Sequence, residues 1–122
     1  NIFKAILNAI SSFDKNIKLM ILSSSKNEEY EYTAKLYSIN LIYEVFADRN
    51  YNDDGSLVSR IHENAVIYDE LDIADRIVTL KERGYLNSLN GKKLFLKTDS
   101  VCIHGDNEKA FEFIKLIKKA LL

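Results

Sequence analysis

Two short polar clusters interrupt the apolar segments of this chain. Residues 44–49 read Glu-Val-Phe-Ala-Asp-Arg, and residues 102–106 read Cys-Ile-His-Gly-Asp. Each cluster lies where an apolar segment with the composition of a strand runs out. Carboxylate, guanidinium and imidazole groups can transfer protons and hold anions. The clusters therefore predict a chemical site at the ends of two strands.

The face that each side chain takes follows from strand geometry. Side chains alternate along a strand, so Glu44, Phe46 and Asp48 share one face. By the same alternation, Cys102 and His104 share a face of the later strand. In α/β folds ligands collect at the carboxyl ends of parallel strands. The residues expected at that edge are Asp48, Arg49, His104 and Asp106.

The first cluster allows two interpretations. Arg49 can orient an anionic substrate while Asp48 works as an acid or base, or the two residues can form a local ion pair. Glu44 lies on the face that points into the lumen of a closed barrel. A buried carboxylate needs a cation or a donor, and Arg49 and Arg60 are the candidates for Glu44. A site role and a structural role for Glu44 remain equally open.

The second cluster joins a strand to a predicted helix. A strand-end imidazole such as that of His104 can shuttle protons near neutral pH. Gly105 allows close approach of the backbone to an anion. Asp106 is either part of the site or an ordinary helix N-cap. Cys102 is flanked by apolar residues, which favours a packed, inert thiol.

Helical and strand patterns alternate along the chain that must position these clusters. Helices are predicted over residues 2–13, from residue 27, over 71–83 and over 107–122, and strands over 18–22, 41–48 and 101–104. Asn1 is a candidate N-cap, and Gly84 is predicted to end the third helix. Residues 85–97 are predicted to form a hairpin with a two-residue turn at Asn90 and Gly91. This order predicts an α/β fold with mostly parallel strands, in a single domain over residues 1–122.

Periodicity also predicts the buried helix faces. Leu71 and Ile77 are expected to face the core from the third helix. Phe111, Ile114 and Ile117 are expected to do so from the last helix.

Composition excludes several classes of function. Of 122 residues, 17 are basic and 18 acidic, and this balance predicts neither a nucleic-acid partner nor a membrane partner. The one cysteine rules out an internal disulfide and indicates a reducing, cytoplasmic location. The apolar runs are shorter than the ~20 residues that span a bilayer. One histidine and a few carboxylates do not define a metal-ligand set, so no metal is predicted.

Taken in order, four motifs make the chain resemble the LamB/YcsF family. They are Glu-x-Phe-Ala-Asp-Arg-x-Tyr at 44–51, Gly-x-Leu-Val-x-Arg at 55–60, Ala-Val-Ile-x-Asp at 65–69 and Cys-x-His-Gly-Asp at 102–106. Ser59 stands where the family often has proline. The resemblance covers essentially the whole chain but only the second half of a family member. The acidic and histidine-containing motifs of the family's first half are absent from this sequence.

The resemblance implies a fold, an activity and partners. The fold is a distorted (β/α) barrel of the glycoside hydrolase/deacetylase type. The activity is that of the A subunit of an ATP-dependent 5-oxoprolinase, which opens 5-oxoproline to L-glutamate together with B and C subunits. ATP is then used by the complex, with the partner subunits binding it. On this resemblance the catalytic residues are Asp48, His104 and Asp106, and the substrate-binding residues are Glu44, Arg49 and Arg60.

The main alternative is a truncated, non-catalytic module of the same family that self-associates or binds a complementing half. About four strands cannot close a barrel, since even small closed barrels need roughly seven or eight. An open parallel sheet leaves edge strands available for pairing. We therefore expect the isolated chain to be inactive.

Overall fold

A computed structural model of the chain describes residues 1–106 and 108–122. These residues form four α-helices, five β-strands and a short 3-10 helix at Glu63–Ala65. The helices are α1 (Ile2–Phe13), α2 (Asn27–Leu36), α3 (Glu70–Arg83) and α4 (Ala110–Leu121). The strands are β1 (Leu19–Leu22), β2 (Leu41–Phe46), β3 (Leu86–Asn87), β4 (Lys93–Leu94) and β5 (Ser100–Cys102).

Local capping interactions fix the helix ends. The side chain of Asn1 accepts a hydrogen bond from the Phe3 N–H at 2.9 Å, which confirms the predicted N-cap of α1. Asp69 caps α3 in the same way, accepting from the backbone of Leu71 and Asp72. Gly84 ends α3 with a φ of 76°, a left-handed conformation that glycine adopts without strain, as predicted.

The predicted parallel pairing is confirmed. Among the described residues β1, β2 and β5 form a parallel sheet in that order, while β3 and β4 form a separate antiparallel pair. Leu22 pairs with Glu44, and Phe46 pairs with Cys102. The parallel sheet therefore has three strands in the part of the chain that the structure describes, where about four were expected.

One face of the sheet forms the hydrophobic core. Tyr43, Val45 and Ala47 are buried, and Ala47 packs against α3 and α4 through Ile73 and Phe113. The opposite face carries residues that all keep some exposure: Met20, Leu22, Ile42, Glu44, Phe46 and Cys102. The helices α3 and α4 therefore cover only the face that carries Tyr43, Val45 and Ala47, which we call the outer face. The opposite face, which carries Glu44, is called the inner face.

Two predicted helix faces were partly wrong. Leu71 is 72% exposed, and Ile73 takes the buried position near the start of α3. Phe111 and Ile114 are exposed as well, whereas Phe113 is fully buried. Apolar residues occur on both sides of these helix starts, so the pattern left the rotation of each helix undetermined. The predicted start of α4 at residue 107 lies outside the described residues.

The predicted hairpin exists, but its turn is longer than expected. The Ser88 N–H donates to the Lys92 carbonyl at 2.9 Å, which leaves three residues in the loop between them. The Gly91 N–H donates to the Ser88 carbonyl, and Gly91 has a φ of 83°. A turn followed by a left-handed glycine is the common three-residue hairpin loop, so the two-residue prediction was wrong.

The strands that carry the polar clusters end earlier than predicted. β2 ends at Phe46 rather than at residue 48, and β5 ends at Cys102 rather than at residue 104. After β2 the chain folds back on itself through isolated bridges between Arg49 and Val66 and between Tyr51 and Leu57. Asp48, Arg49, His104 and Asp106 therefore lie beyond the strand ends, whereas Glu44 lies within β2.

Within the described ranges, no helix is both long and apolar enough to cross a membrane.

Tyr51 secures the point at which β2 ends. Its hydroxyl oxygen accepts a hydrogen bond from the Phe46 N–H at 2.9 Å, and the whole residue is buried. The guanidinium of Arg76 lies over its ring, 5.9 Å from the centroid. Burial raises the pKa of the Tyr51 hydroxyl, so the phenol stays neutral.

Replacing Tyr51 with Phe should destabilise the fold, because it leaves the partly buried Phe46 N–H without an acceptor. We expect Tyr51→Phe to lower the free energy of unfolding by about 1–3 kcal/mol. Urea denaturation measures the change. Tyr32→Phe is the matched control, since Tyr32 is exposed. Equal effects of the two substitutions would show that the Tyr51 hydroxyl contributes nothing.

Candidate active site

A carboxylate and an imidazole meet at the carboxyl end of the sheet. Because β2 and β5 are adjacent and parallel, the turns after them bring Asp48 next to His104. Asp48 Oδ2 accepts from the His104 backbone N–H at 3.0 Å, and Asp48 Oδ1 lies 2.9 Å from His104 Nδ1. Asp48 is only 1% exposed. Both residues lie beyond the carboxyl ends of parallel strands, as predicted, and their direct contact is an additional finding.

The imidazole ring has a second neighbour on the other strand. The rings of Phe46 and His104 meet edge to face, with centroids 4.6 Å apart and an interplanar angle of 88°. This contact agrees with the predicted shared face of Phe46 and Asp48. The His104 side chain is 23% exposed, and its Nε2 makes no hydrogen bond to any described residue. A ring held on two sides with one free nitrogen can accept or donate a proton.

A small cavity of about 70 Å³ adjoins the imidazole. It is lined by Asp48, Arg60, Val66, Tyr68, His104 and Asp106. At its edge an Arg60 nitrogen lies 3.2 Å from Asp106 Oδ2, with side-chain exposures of 51% and 69%. An ion pair this exposed is weak, so both side chains can exchange it for other partners. Tyr68 was not singled out from the sequence, because it lies beyond the strand ends in a loop.

Arg49 lies apart from this cavity, although the sequence placed it among the substrate-binding candidates. Its Nε donates to the Ala65 carbonyl at 3.1 Å, and its Nη2 donates to the Val58 carbonyl at 2.7 Å. The residue is buried, with 7% of its surface exposed. The alternative of a local ion pair with Asp48 does not occur among the described residues. Arg49 holds the loop that carries Arg60.

Glu44 has no partner of the kind expected. The candidates Arg49 and Arg60 bind elsewhere, and no hydrogen bond or ion pair of the Glu44 side chain is found within residues 1–106 and 108–122. The expected pairing with either arginine was therefore wrong. Glu44 is half-buried beside Cys102, along a groove next to β5. Burial, then the charges of Glu44 and Asp48, raise the pKa of the Cys102 thiol, which agrees with an inert thiol.

Arg76 on α3 binds the turn directly after Asp48, a role that the sequence did not predict. Its Nη1 donates to the Arg49 carbonyl at 2.6 Å, and its Nη2 donates to Asn50 Oδ1 at 3.0 Å. Burial lowers the pKa of the Arg76 guanidinium. These contacts fix the turn directly after Asp48. A single arginine in an amphipathic helix carries no sequence signal for such a contact.

The side chains around the cavity define the chemistry that this chain offers. Across the described parts of the chain, no group of three or more His, Cys, Asp or Glu side chains is arranged to hold a metal ion. The imidazole can transfer protons, and the exposed guanidinium can bind an anion.

The sequence of the chain matches a known protein family and several known proteins. The sequence profile of the LamB/YcsF family matches residues 1–122. A 5-oxoprolinase A subunit from Campylobacter jejuni is 46% identical over 121 residues, which are 99% of this chain and 46% of the relative. The Vibrio parahaemolyticus A subunit is 41% identical, covering 98% of this chain and 47% of the relative. The Thermococcus sibiricus A subunit is 42% identical, covering 95% and 44%.

A solved structure has the same fold. The lactam utilization protein from Thermus thermophilus superposes with a TM-score of 0.78 at 26% identity, covering 98% of this chain and 46% of that protein. The chain thus spans about half the length of the relatives it matches. The family profile, the relatives and the motifs at the site agree, and the chain belongs to the LamB/YcsF family.

Proposed function

We propose that the chain, as the C-terminal part of a 5-oxoprolinase A subunit, contributes to the ATP-dependent hydrolytic opening of 5-oxoproline to L-glutamate. The observation that carries the proposal is the Asp48–His104 pair at the carboxyl end of parallel strands. It occurs in a chain whose relatives are named as the A subunit of 5-oxoprolinase.

Opening a lactam requires two proton transfers. Water loses a proton as it attacks the ring carbonyl, and the ring nitrogen needs a proton as it leaves. An imidazole can serve both steps, because it both accepts and donates protons near neutral pH. His104 is the group with a free ring nitrogen beside the cavity. We assign it the proton transfers, with Asp48 as its partner.

The substrate carboxylate needs a cationic group, and Arg60 is the candidate. Its guanidinium lies at the edge of the cavity and is paired with Asp106 through an exposed contact. A substrate carboxylate or phosphoryl oxygen can replace Asp106 as the partner of Arg60 with little loss of free energy, because the ion pair is exposed. Asp106 then holds Arg60 in place before substrate binds. Arg49 contributes by supporting the loop, while Glu44 stays a candidate for substrate contact from the inner face.

The partner subunits complete the reaction in this proposal. A lactam resists hydrolysis until its carbonyl is activated, and phosphorylation of the carbonyl oxygen by the B and C subunits at the expense of ATP would supply that activation. Attack by water and cleavage of the C–N bond would then leave an acyl phosphate, which a second water hydrolyses to L-glutamate and inorganic phosphate. The support is the naming of the relatives as one lettered subunit, which implies further subunits. No residue of this chain is assigned to ATP or to a metal.

The rest of a distorted (β/α) barrel would come from the half of the full-length protein that this chain does not span. Both β1 and β5 are edge strands of the described sheet, each with one unpaired side. Beside β5 lies a groove of about 580 Å³ lined mainly by apolar residues, including Val101, Ile114 and Leu121. A parallel strand from the complementing half fits this edge. Self-association of a non-catalytic module is the alternative.

Removing the imidazole should abolish most of the turnover. In a complete enzyme of A, B and C subunits, we expect His104→Ala to lower kcat for 5-oxoproline by about 100-fold or more. His62→Ala is the control, because His62 is exposed and lies in a loop outside the cavity. Steady-state kinetics decide. Unchanged turnover in His104→Ala would remove the basis of the proposal.

Removing the cation should weaken substrate binding more than turnover. We expect Arg60→Gln in the same enzyme to raise KM for 5-oxoproline about tenfold, the size expected from losing a charged hydrogen bond. Arg83→Gln serves as the control, since Arg83 ends α3 outside the cavity. A KM equal to that of the control would mean that Arg60 does not touch the substrate.

The complementing half can be tested directly. Alone, the chain should not hydrolyse 5-oxoproline, whereas co-expression with the N-terminal half of the Campylobacter jejuni relative should give a 1:1 complex on native mass spectrometry. Ile114→Lys in the groove should weaken that complex at least about tenfold, because it places a charge in an apolar contact. Leu36→Lys, an exposed apolar site on α2, should not. A homodimer in place of the 1:1 complex would favour the non-catalytic alternative.

A further inference from the structure

We propose that Asp48 is a positioning residue that holds His104 in the tautomer with its proton on Nδ1, so that His104 Nε2 is the one atom of the pair that exchanges protons with substrate. The catalytic consequence rests on the proposed function. The assignment of the tautomer does not, because it follows from contacts within this chain.

The hydrogen-bond geometry determines where the ring proton lies. Asp48 Oδ1 is 2.9 Å from His104 Nδ1, within hydrogen-bond distance. An ionised carboxylate can only accept, so Nδ1 must be the donor. Nε2 is then the unprotonated nitrogen of the neutral ring. It has no hydrogen-bond partner among residues 1–106 and 108–122, which leaves it free to act as a base.

The second carboxylate oxygen makes this arrangement rigid. Asp48 Oδ2 accepts from the backbone N–H of the same His104 at 3.0 Å. The Asp48 carboxylate therefore hydrogen-bonds both the backbone and the ring of His104. The Phe46 ring packs edge to face against the imidazole and limits its rotation. Two hydrogen bonds and one aromatic contact together set the direction in which Nε2 points.

Burial separates the roles of the two residues. Asp48 lines the cavity, but it is 1% exposed and both of its carboxylate oxygens bind His104, so neither oxygen is free to exchange a proton with a substrate. The backbone of Asp48 is itself held, because its carbonyl accepts from the Ile67 N–H at 2.8 Å. Arg76 fixes the next two residues through the Arg49 carbonyl and the Asn50 side chain. Asp48 acts through His104 from a fixed position.

Asp48→Asn tests this arrangement because it keeps the shape and changes one acceptor into a donor. If the amide oxygen of the substituted side chain still accepts from the His104 backbone N–H, its NH₂ group faces Nδ1. Two donors cannot meet, so the ring proton must move to Nε2. The opposite amide orientation sets the NH₂ group against the backbone N–H. The substitution therefore reverses the tautomer and blocks the free nitrogen, as the equivalent change does in the serine protease triad.

The experiment is a ¹⁵N-edited NMR measurement of the histidine ring nitrogens in the chain. We expect neutral His104 in the native chain to be the Nδ1–H tautomer, whereas exposed His62 provides the reference for a free histidine, which prefers Nε2–H. Asp48→Asn should convert His104 to Nε2–H. Asp75→Asn, on the exposed side of α3, is the matched control and should leave His104 unchanged. Native His104 as Nε2–H, or no change in Asp48→Asn, would overturn the inference.

A kinetic measurement distinguishes this inference from the proposed function. In the complete enzyme, Asp48→Asn should lower kcat by at least about 100-fold while KM stays within about threefold, because both Asp48 oxygens are taken by His104 and none is left to bind substrate. A KM that rises as much as kcat falls would overturn the positioning role. A reversed tautomer with unchanged kcat would uphold the assignment of the proton and refute the catalytic role proposed for His104.

Discussion

The parallel pairing of β2 with β5 is the constraint on which the site depends. Phe46 is in register with Cys102, so the chain leaves both strands at the same level of the sheet. This places Asp48 and His104 in contact although 56 residues separate them in sequence. The crossover between the strands contains the loop, α3 and the hairpin. Any shift of register would move the carboxylate away from the imidazole by a full residue step of about 3.3 Å.

Two arginines, the buried Arg49 and the half-buried Arg76, stabilise the loop around that contact. Arg49 donates to the carbonyls of Val58 and Ala65, and Arg76 donates to the carbonyl of Arg49. Burying a guanidinium is costly unless its donors are satisfied, and here backbone oxygens satisfy several of them. The two bonds from Arg49 connect the start and the end of the loop segment between Val58 and Ala65. As a result Arg60, on that loop, is presented at the cavity while its neighbours in sequence stay anchored.

Strand alternation and strand order were enough to predict the centre of the site. They placed Phe46 and Asp48 on one face and brought His104 to the same edge, since both rules follow from backbone geometry alone. They could not predict where Arg49 points, because that depends on how the loop folds back over its own carbonyls. The same limit applies to Arg76, whose partners lie on the distant turn after β2.

The helices α3 and α4 leave one face of the sheet uncovered. Glu44, Phe46 and Cys102 lie on the sheet face that α3 and α4 do not cover. Closing a barrel over this face would remove water from the Glu44 carboxylate, which has no hydrogen-bond or ion-pair partner within the described residues. A buried unpaired carboxylate costs several kcal/mol, on the order of the stability of a small domain. In the proposed barrel, a complementing half would therefore have to bring a hydrogen-bond donor or a cation to Glu44, so this sheet face constrains the chemistry of the proposed complement.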